Sequence, residues 1–177
     1  MAAEPFLIEV LSDVVQCLNR KAVDFALAGG LAYSALVESR ATTDVDLVLI
    51  LEDPTAEKVA GLFGGVFDSV VPHREPMVLK GLRVWRVVGV RGEREIVVDL
   101  LLAHSEFLRQ ALVRKRVVDF RGLALPILTL EDLMLLKALA SRLQDQADLE
   151  RIKERPDLRI DWGYVRTWLA RLGLPKI

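Results

Sequence analysis

The most informative part of this chain is Arg40-Ala41-Thr42-Thr43-Asp44-Val45-Asp46-Leu47-Val48-Leu49-Ile50-Leu51. Its second half is almost continuously apolar, which is typical of a strand buried on both faces of a sheet. Asp44 and Asp46 begin that strand, and side chains two residues apart on a strand point to the same face, roughly 7 Å from each other. Carboxylates in such a place repel each other and lose hydration unless a cation offsets their charge. The pattern therefore indicates a site for a divalent metal ion.

Gly29-Gly30 supplies the other half of the predicted site. The pair lies between a short predicted strand, 25–28, and a predicted helix, 31–39. Backbone N–H groups at the N-terminus of a helix attract phosphate oxygens, and the missing β-carbon lets a phosphate approach closely. The sequence contains neither GxxxxGK[ST] nor GxGxxG, so it supports neither a P-loop nor a dinucleotide-binding fold.

A third aspartate, Asp99, lies in another apolar segment, the predicted strand 95–102. If this strand lies beside strand 44–51, three carboxylates come to one edge of a sheet. Three ionised carboxylates this close are tolerable with one or two Mg²⁺ ions, which prefer a few carboxylates together with water and substrate phosphate. Such an arrangement suits phosphoryl or nucleotidyl transfer, in which the ions activate the attacking hydroxyl and clamp the triphosphate.

The remaining segments predict an α+β fold with α/β-like order, in which mixed elements come first and helices last. Strands 82–90 and 95–102 form a predicted hairpin, and a weaker hairpin joins 117–120 to 123–125. The predicted helices cover residues 4–20, 54–63, the stretch that follows Thr129, 145–153 and 161–172. We expect a small mixed sheet with flanking helices in a core of residues 1–125, and a C-terminal helical segment, 126–177, packed on that core.

The composition excludes several classes of protein. With 177 residues, 52% of them hydrophobic, the chain can bury a normal core as one domain. Lys and Arg total 24 and Asp and Glu total 25, so there is no general electrostatic attraction to nucleic acid or to an anionic membrane. Local basic patches at 109–116 and among the arginines of 83–94 are the only candidates for RNA contact, and such patches are usually solvated faces.

The single cysteine, Cys17, excludes an intrachain disulfide and a cysteine-based zinc site. No run of about 18 uncharged apolar residues occurs, and residues 1–10 carry two glutamates and no basic leader. We therefore expect a cytoplasmic protein that makes no use of a membrane.

Three segments together resemble the nucleotidyltransferase superfamily with the polymerase-beta type of fold. They are Ala28-Gly29-Gly30-Leu31-Ala32, Arg40 to Leu47, and Val97-Val98-Asp99-Leu100-Leu101. The form R-x-T-x-D-[IV]-D-[LIV] is most similar to the abortive-infection toxins and related small nucleotidyltransferases. A weaker similarity to the "dL…K…R…D…D" helices of that branch continues through Leu130, Asp132, Lys137, Arg142, Asp145 and Asp148.

The resemblance implies transfer of a nucleoside monophosphate from a triphosphate such as ATP to a hydroxyl-type acceptor. It implies that Asp44, Asp46 and Asp99 are catalytic and bind Mg²⁺ or Mn²⁺, with Asp99 taking the proton of the attacking hydroxyl. The nucleotide-binding residues would be Gly29, Gly30, Arg40, Thr43 and Lys137. Many members have serine where this chain has Gly30, and a basic residue where it has Gln144.

Alternatives remain open at this level. The chain could bind a nucleotide or a partner without turnover, as a component of a toxin–antitoxin system, or it could be a glycosyltransferase whose D-x-D holds a nucleotide sugar through a metal. The acceptor could be RNA, a small molecule or a protein, and the partner could include an antitoxin.

Individual residues also have simpler interpretations. Asp99 could form a salt bridge to a neighbouring arginine, and Gly29 could serve only a tight turn that needs positive φ. Arg40 and Thr43 could steady their loop, and the Lys137 side chain could reach past apolar neighbours to solvent. For Asp145 and Asp148 we favour a solvated helix face, paired with Arg142 or Arg151.

Overall fold

The computed structural model describes residues 5–177. These residues form seven helices and an eight-stranded mixed sheet, which confirms the predicted fold class. The helices are α1 Pro5–Arg20, α2 Gly29–Leu36, α3 Ala56–Gly61, α4 Glu106–Arg114, α5 Leu130–Ala140, α6 Leu143–Lys153 and α7 Trp162–Arg171. The strands are β1 Phe25–Leu27, β2 Val45–Leu49, β3 Ser69–Pro72, β4 Met77–Leu79, β5 Leu82–Arg91, β6 Arg94–Leu102, β7 Arg116–Phe120 and β8 Leu123–Ile127. Residue 4, with which we predicted the first helix to begin, lies outside the described residues.

The sheet has the order β3-β5-β6-β2-β1-β8-β7, and β4 pairs with the free part of β5. Pairing is parallel between β2 and β6 and between β1 and β8, and antiparallel elsewhere. The apolar run after Asp46 is therefore explained by position, because β2 lies in the middle of the sheet with β1 and β6 on either side.

Helices cover both faces of this central strand. Leu47 and Leu49 belong to the core that includes α1, whereas Val48 points to the opposite face, into a second core with Phe107 of α4 and Trp168 of α7. Strand geometry sends successive side chains to opposite faces, so one apolar run serves two cores. Among the described helices, none is both long enough and apolar enough to span a bilayer.

The sequence analysis did not predict α4, β3 or β4. The α4 segment looked like a basic patch, yet Ser105 caps it by accepting a hydrogen bond from the backbone N–H of Leu108, and its buried side chains recur at helical spacing. The strands β3 and β4 are short and largely exposed, so they carry little apolar pattern. The helix predicted over 54–63 is also shorter than expected, because Thr55 caps it from outside.

A tight connection between α5 and α6 sets up the C-terminal helices. Thr129 caps α5 by accepting from the backbone N–H of Asp132, as its position before the apolar stripe suggested. Ser141, in the left-handed conformation at φ 54°, ends α5. Arg142 is the N-cap residue of α6, and the Asp145 carboxylate accepts from its backbone N–H at 3.3 Å. The last turn of α5 therefore lies close to the first turn of α6.

Candidate active site

Two of the three predicted carboxylates lie on neighbouring strands, and the third, Asp44, comes just before β2. Asp46 of β2 and Asp99 of β6 are direct partners in the parallel pair, and Asp99 is in turn opposite Arg86 of β5. Asp44 comes two residues before Asp46, and all three aspartates line one cavity. The row Asp46, Asp99, Arg86 therefore crosses three adjacent strands at one level of the sheet.

Asp99 is held by Arg86 in a two-point contact. Arg86 Nε donates to Asp99 Oδ1 at 2.8 Å, and Arg86 Nη2 donates to Asp99 Oδ2 at 2.7 Å. This is the salt bridge that was the simpler interpretation of Asp99. It uses only two of the roughly four lone-pair positions of a carboxylate, so Asp99 keeps the capacity for further ligands.

Asp46 lies directly over the Gly29-Gly30 turn. Gly29 has φ +61°, as a tight turn requires, and a β-carbon placed on it would lie only 1.8 Å from Asp46 Oδ2. Burial and the charges of Asp99 and Asp44 raise the pKa of Asp46 to about 6, while Arg142 and the backbone N–H of Gly30 act to lower it. Negative charge is thus concentrated at Asp46 with incomplete compensation.

The loop before β2 packs against the start of α2. A β-carbon on Gly30 would come within 2.6 Å of Arg40 Nη2 and 2.7 Å of Thr42 Oγ1. Ser34 Oγ holds the loop by accepting from the backbone N–H of Arg40 and donating to its carbonyl, each at 3.2 Å. At the end of the loop, Thr43 Oγ1 donates to Asp44 Oδ1 at 2.9 Å.

Arg40 is only partly satisfied by this packing. Its Nη1 donates to Asp148 Oδ2 of α6 at 3.0 Å. Its Nε is buried and has no hydrogen-bond partner among the described residues. A buried donor without a partner costs roughly 1–3 kcal/mol, so a ligand that supplied an acceptor there would recover that energy.

A second group of charges, which we call the helix cluster, comprises Lys137, Asp145 and Asp148 with the guanidinium groups of Arg40 and Arg142. Lys137 is only 4% exposed, and its Nζ lies 2.5 Å from Asp148 Oδ2 and 3.6 Å from Asp145 Oδ1. One interpretation of the sequence had the Lys137 side chain reaching past its neighbours to solvent. The structure shows instead that this side chain is buried.

The solvated-face interpretation of Asp145 and Asp148 is wrong. The two residues are 2% and 5% exposed, because the close packing of α5 on α6 turns them toward Lys137. One pairing was predicted correctly, since Arg142 Nε donates to Asp145 Oδ2 at 2.7 Å. Arg151 instead lies beside Glu38.

One cavity of about 830 Å³ gathers most of the predicted residues. Its lining includes Gly30, Arg40, Thr43, Asp44, Asp46, Asp99 and Lys137. Gly29 lines an adjoining cavity that shares Asp46 and Asp99. Sequence reasoning missed Arg86, although a signal existed, because a hairpin that turns at 91–94 places residue 86 opposite residue 99.

The donor set fits a divalent cation in composition. Within residues 5–177 no three His, Cys, Asp or Glu side chains are drawn together tightly enough to form a ready-made metal site. Burial first, and then the charges of Asp99 and Asp44, raise the pKa of Asp46. A divalent ion would offset those charges, and hard oxygen donors are what Mg²⁺ prefers.

Several basic residues of the two patches form ion pairs with acidic residues of the same chain. Arg114 contacts Asp132 and lies over the ring of Tyr164, and Lys115 pairs with Asp24. In the second patch, Arg91 pairs with two acids of α1. These contacts favour a structural use of both patches.

Comparisons with known proteins identify the family and show similar folds. A family described as "Nucleotidyl transferase of unknown function" (DUF2204) matches residues 7–169. A search of curated proteins finds no match. A proposed nucleotidyltransferase from Thermotoga maritima has a similar fold, with a TM-score of 0.53, 15% identity, and coverage of 97% of this chain and 96% of that one. ANT(2'')-Ia, solved in complex with adenylyl-2''-tobramycin, gives a TM-score of 0.58 at 10% identity, over 95% of this chain and 97% of that one. Because the match extends over nearly its whole length, the chain belongs to this nucleotidyltransferase family and is an enzyme of the wider superfamily.

Proposed function

We propose that this enzyme transfers a nucleoside monophosphate from a nucleoside triphosphate, with ATP as one candidate, to a hydroxyl acceptor, and that Mg²⁺ or Mn²⁺ supports the reaction. The observation that carries the proposal is the row of Asp46, Asp99 and Arg86 beside the Gly29-Gly30 turn, in which the pKa of Asp46 is raised to about 6. Such accumulated charge is costly in a merely structural strand.

Asp44, Asp46 and Asp99 would hold the metal. Divalent ions bound there would lower the pKa of the attacking hydroxyl and neutralise charge on the phosphates. In addition to binding metal, Asp99 accepts the proton of the acceptor hydroxyl. Arg86 keeps the Asp99 carboxylate oriented by its two hydrogen bonds.

The triphosphate would lie between the start of α2 and the 40–43 loop. Gly29 and Gly30 begin a helix, where backbone N–H groups attract phosphate oxygens, and the N–H of Gly30 also contacts the Asp46 carboxylate. Arg40 Nε supplies a buried donor that lacks a protein partner among the described residues. Thr43 and Lys137 line the same cavity, where Lys137 adds positive charge that it shares with Asp148.

We further propose the division into a core of residues 1–125 and a C-terminal helical segment, 126–177, that closes over the nucleotide. The proposed boundary after residue 125 lies within β8, two residues before that strand ends at Ile127, and α5 begins at Leu130. In support of this division, the helical segment contributes Lys137 and Arg142 to the cavity lining.

The acceptor is a hydroxyl-bearing molecule, and RNA, a small molecule and a protein remain candidates. ANT(2'')-Ia is described with an adenylylated aminoglycoside, which favours the small-molecule class. We place the reaction in the cytoplasm, in keeping with a single, buried cysteine. An antitoxin partner stays part of the proposal because the D-x-D segment resembles the toxin branch.

Transfer of label from a triphosphate would test the proposal. The protein is incubated with Mg²⁺, cell extract and each nucleoside triphosphate radiolabelled at its α-phosphate, and the products are separated by size and charge. We expect one labelled acceptor with the wild type and with Asp119→Asn, a change at an exposed carboxylate of β7. Asp46→Asn should reduce labelling at least about a thousandfold, because metal and oxyanion contacts contribute several kcal/mol each.

The rival functions give different results in the same experiment. A protein that binds without turnover would gain thermal stability from the triphosphate and Mg²⁺ yet label nothing. A glycosyltransferase would transfer label from a tagged nucleotide sugar and not from the α-phosphate. Either result, or equal labelling by Asp46→Asn and the wild type, would refute the proposal.

A further inference from the structure

A second cavity, of about 390 Å³, adjoins the active-site cavity and shares Asp46 and Asp99 with it. Its other walls come from the β4–β5 hairpin, β6 and α5. Arg86, Lys137 and Arg142 also line both cavities, and Gly29 lines the second. The apolar side chains that line the second cavity are Ala28, Val78, Leu79, Leu82, Val84, Leu101, Leu133, Leu136 and Ala140. The active-site cavity is lined mainly by charged and polar residues. The two substrates of the proposed transfer would therefore meet walls of different chemistry.

The apolar wall leads directly to the carboxylates. Val84 of β5 pairs with Leu101 of β6, and two residues along each strand Arg86 pairs with Asp99. Leu82 continues the same line toward the hairpin turn. Residues two apart on a strand share a face, so a molecule lying along this line ends at Asp99.

The outer end of the wall is exposed. Val78 and Leu79 are 69% and 52% exposed, and both line the second cavity. A turn with positive φ at Lys80 and Gly81 fixes the hairpin end beside them. Covering apolar surface stabilises a complex by about 25 cal/mol per Å², so this end favours an apolar ligand.

Charge in the second cavity argues against a polycationic ligand. Apart from the shared Asp46 and Asp99, the one carboxylate among the described residues that line it is Asp145, which is buried and paired with Arg142. Lys80 adds positive charge at the rim. An aminoglycoside carries several amino groups and needs acidic partners, which this wall does not offer.

The two substrates of a nucleotidyl transfer must meet at the phosphorus that is transferred. Attacking and leaving oxygens lie roughly in line across the phosphorus. Gly30 and the donors of Arg40 and Thr42, which suit the phosphates, line the first cavity. Both cavities include Asp46 and Asp99, so an acceptor in the second cavity would bring its hydroxyl to the same carboxylates as the triphosphate.

We infer that the second cavity receives the acceptor, and that the acceptor is a neutral or anionic molecule with an aromatic or aliphatic body and a hydroxyl at the end that reaches Asp99. The inference rests on the proposed function. The acceptor oxygen bonds to the α-phosphorus, the bond from that phosphorus to the oxygen bridging to the β-phosphate breaks, and pyrophosphate leaves with the electron pair. The hydroxyl proton passes to Asp99.

A binding titration with 2-naphthol, which has an apolar body and one hydroxyl, tests the inference. Its fluorescence is followed on adding full-length protein that is saturated with Mg²⁺ and α,β-methylene-ATP, a donor that does not react. We expect saturable binding to the wild type. Leu79→Asp should weaken it at least about tenfold, because a charge replaces exposed apolar contact surface. Val71→Asp, at an exposed valine of β3 outside both cavities, should bind as the wild type does.

Two further measurements separate the inference from the proposed function. Tobramycin, titrated by calorimetry, should show no binding to the nucleotide-loaded protein. Nucleotide binding is measured by thermal shift in each variant and should be unchanged by Leu79→Asp. The inference fails and the proposed function stands in any of three cases, provided that the nucleotide analogue binds. These are that the analogue displaces 2-naphthol, that the wild type does not bind 2-naphthol, and that both variants bind it equally. If the analogue itself does not bind, the proposed function fails.

Discussion

Two groups of aspartates lie near the same cleft, and the charges of their neighbours differ. In the helix cluster, Asp145 and Asp148 are almost completely buried, and the cations of Lys137, Arg40 and Arg142 surround them. On the strands, Asp46 has the carboxylates of Asp99 and Asp44 as its strongest charged neighbours. Acids outnumber basic partners in one group, and basic partners outnumber acids in the other.

The difference separates a structural use of charge from a chemical one. Paired charges in the helix cluster join α5, α6 and the loop before β2, so they fix the shape of the cleft. Basic neighbours do not fully neutralise the strand carboxylates. The remaining negative charge is unfavourable to folding but favours the binding of cations. Four substitutions test this contrast.

The largest effect on stability is expected in the helix cluster. Lys137→Met leaves the buried carboxylates of Asp145 and Asp148 without their central cation and should lower the free energy of unfolding by about 3 kcal/mol. Urea unfolding at neutral pH measures it. Lys153→Met, which removes an exposed lysine paired with Glu150, should change the value by less than about 0.5 kcal/mol. If Lys137→Met lowers the free energy of unfolding by less than about 1 kcal/mol, the helix cluster does not stabilise the fold as we expect.

The opposite sign is expected at Asp46. The folded-state pKa of about 6 lies above the ordinary 3.8, so the folded protein binds this proton more tightly than the unfolded chain does. The contribution of Asp46 to stability therefore falls as pH rises from about 4 to about 6. Without metal at pH 7, Asp46→Asn should be more stable than the wild type by roughly 1–3 kcal/mol.

Thermal unfolding across pH 4 to 7 in the presence of a chelator measures this effect. Asp119→Asn is the matched control and should reproduce the wild-type curve. Adding Mg²⁺ should raise the melting temperature of the wild type more than that of Asp46→Asn. Lower stability of Asp46→Asn at pH 7 without metal would contradict the interpretation that the charge of Asp46 is not fully neutralised.

Arg86→Gln should give a smaller change that depends on metal. It removes the cation from Asp99, but Arg86 is 39% exposed at its side chain, so solvent screening limits the loss to about 1 kcal/mol without metal. Mg²⁺ should then stabilise the variant more than it stabilises the wild type, because the freed carboxylate has more repulsion to relieve. Melting temperatures with and without Mg²⁺ test this, with Arg83→Gln on the same strand as control. An equal Mg²⁺ effect in all three proteins would contradict the expectation that Arg86 and the metal ion compensate the same charge.

Arg142→Gln should be the mildest change. Its side chain is 75% exposed, so the free energy of unfolding should fall by no more than about 0.5 kcal/mol. Its charge acts on Asp46 across the cavity, so we expect the KM for the triphosphate to rise roughly threefold to tenfold. Steady-state kinetics at two salt concentrations would check this, because the effect should shrink as salt increases.

Sequence patterns predicted the strand group better than the helix cluster, for a physical reason. Strand alternation and hairpin register are local rules. Two apolar runs therefore identified the strands that carry Asp46 and Asp99, and the contact of Asp99 with Arg86 was implicit in the turn at 91–94, whereas the parallel register of Asp46 with Asp99 came only from the structure. The burial of Asp148 depends on how α6 packs against α5 after the left-handed residue Ser141. No periodicity in the sequence encodes that angle, so a buried charge looked like a solvated one.

The packing around Gly30 has an evolutionary consequence. The space that a larger residue would need is taken by Arg40 Nη2 and Thr42 Oγ1. Introducing serine here, the residue that many superfamily members carry, is therefore not a simple reversion, because its side chain would collide with groups from a loop ten residues later. A larger residue at position 30 therefore requires the Arg40 guanidinium to move aside and the Thr42 side chain to shift or to be replaced by a smaller one.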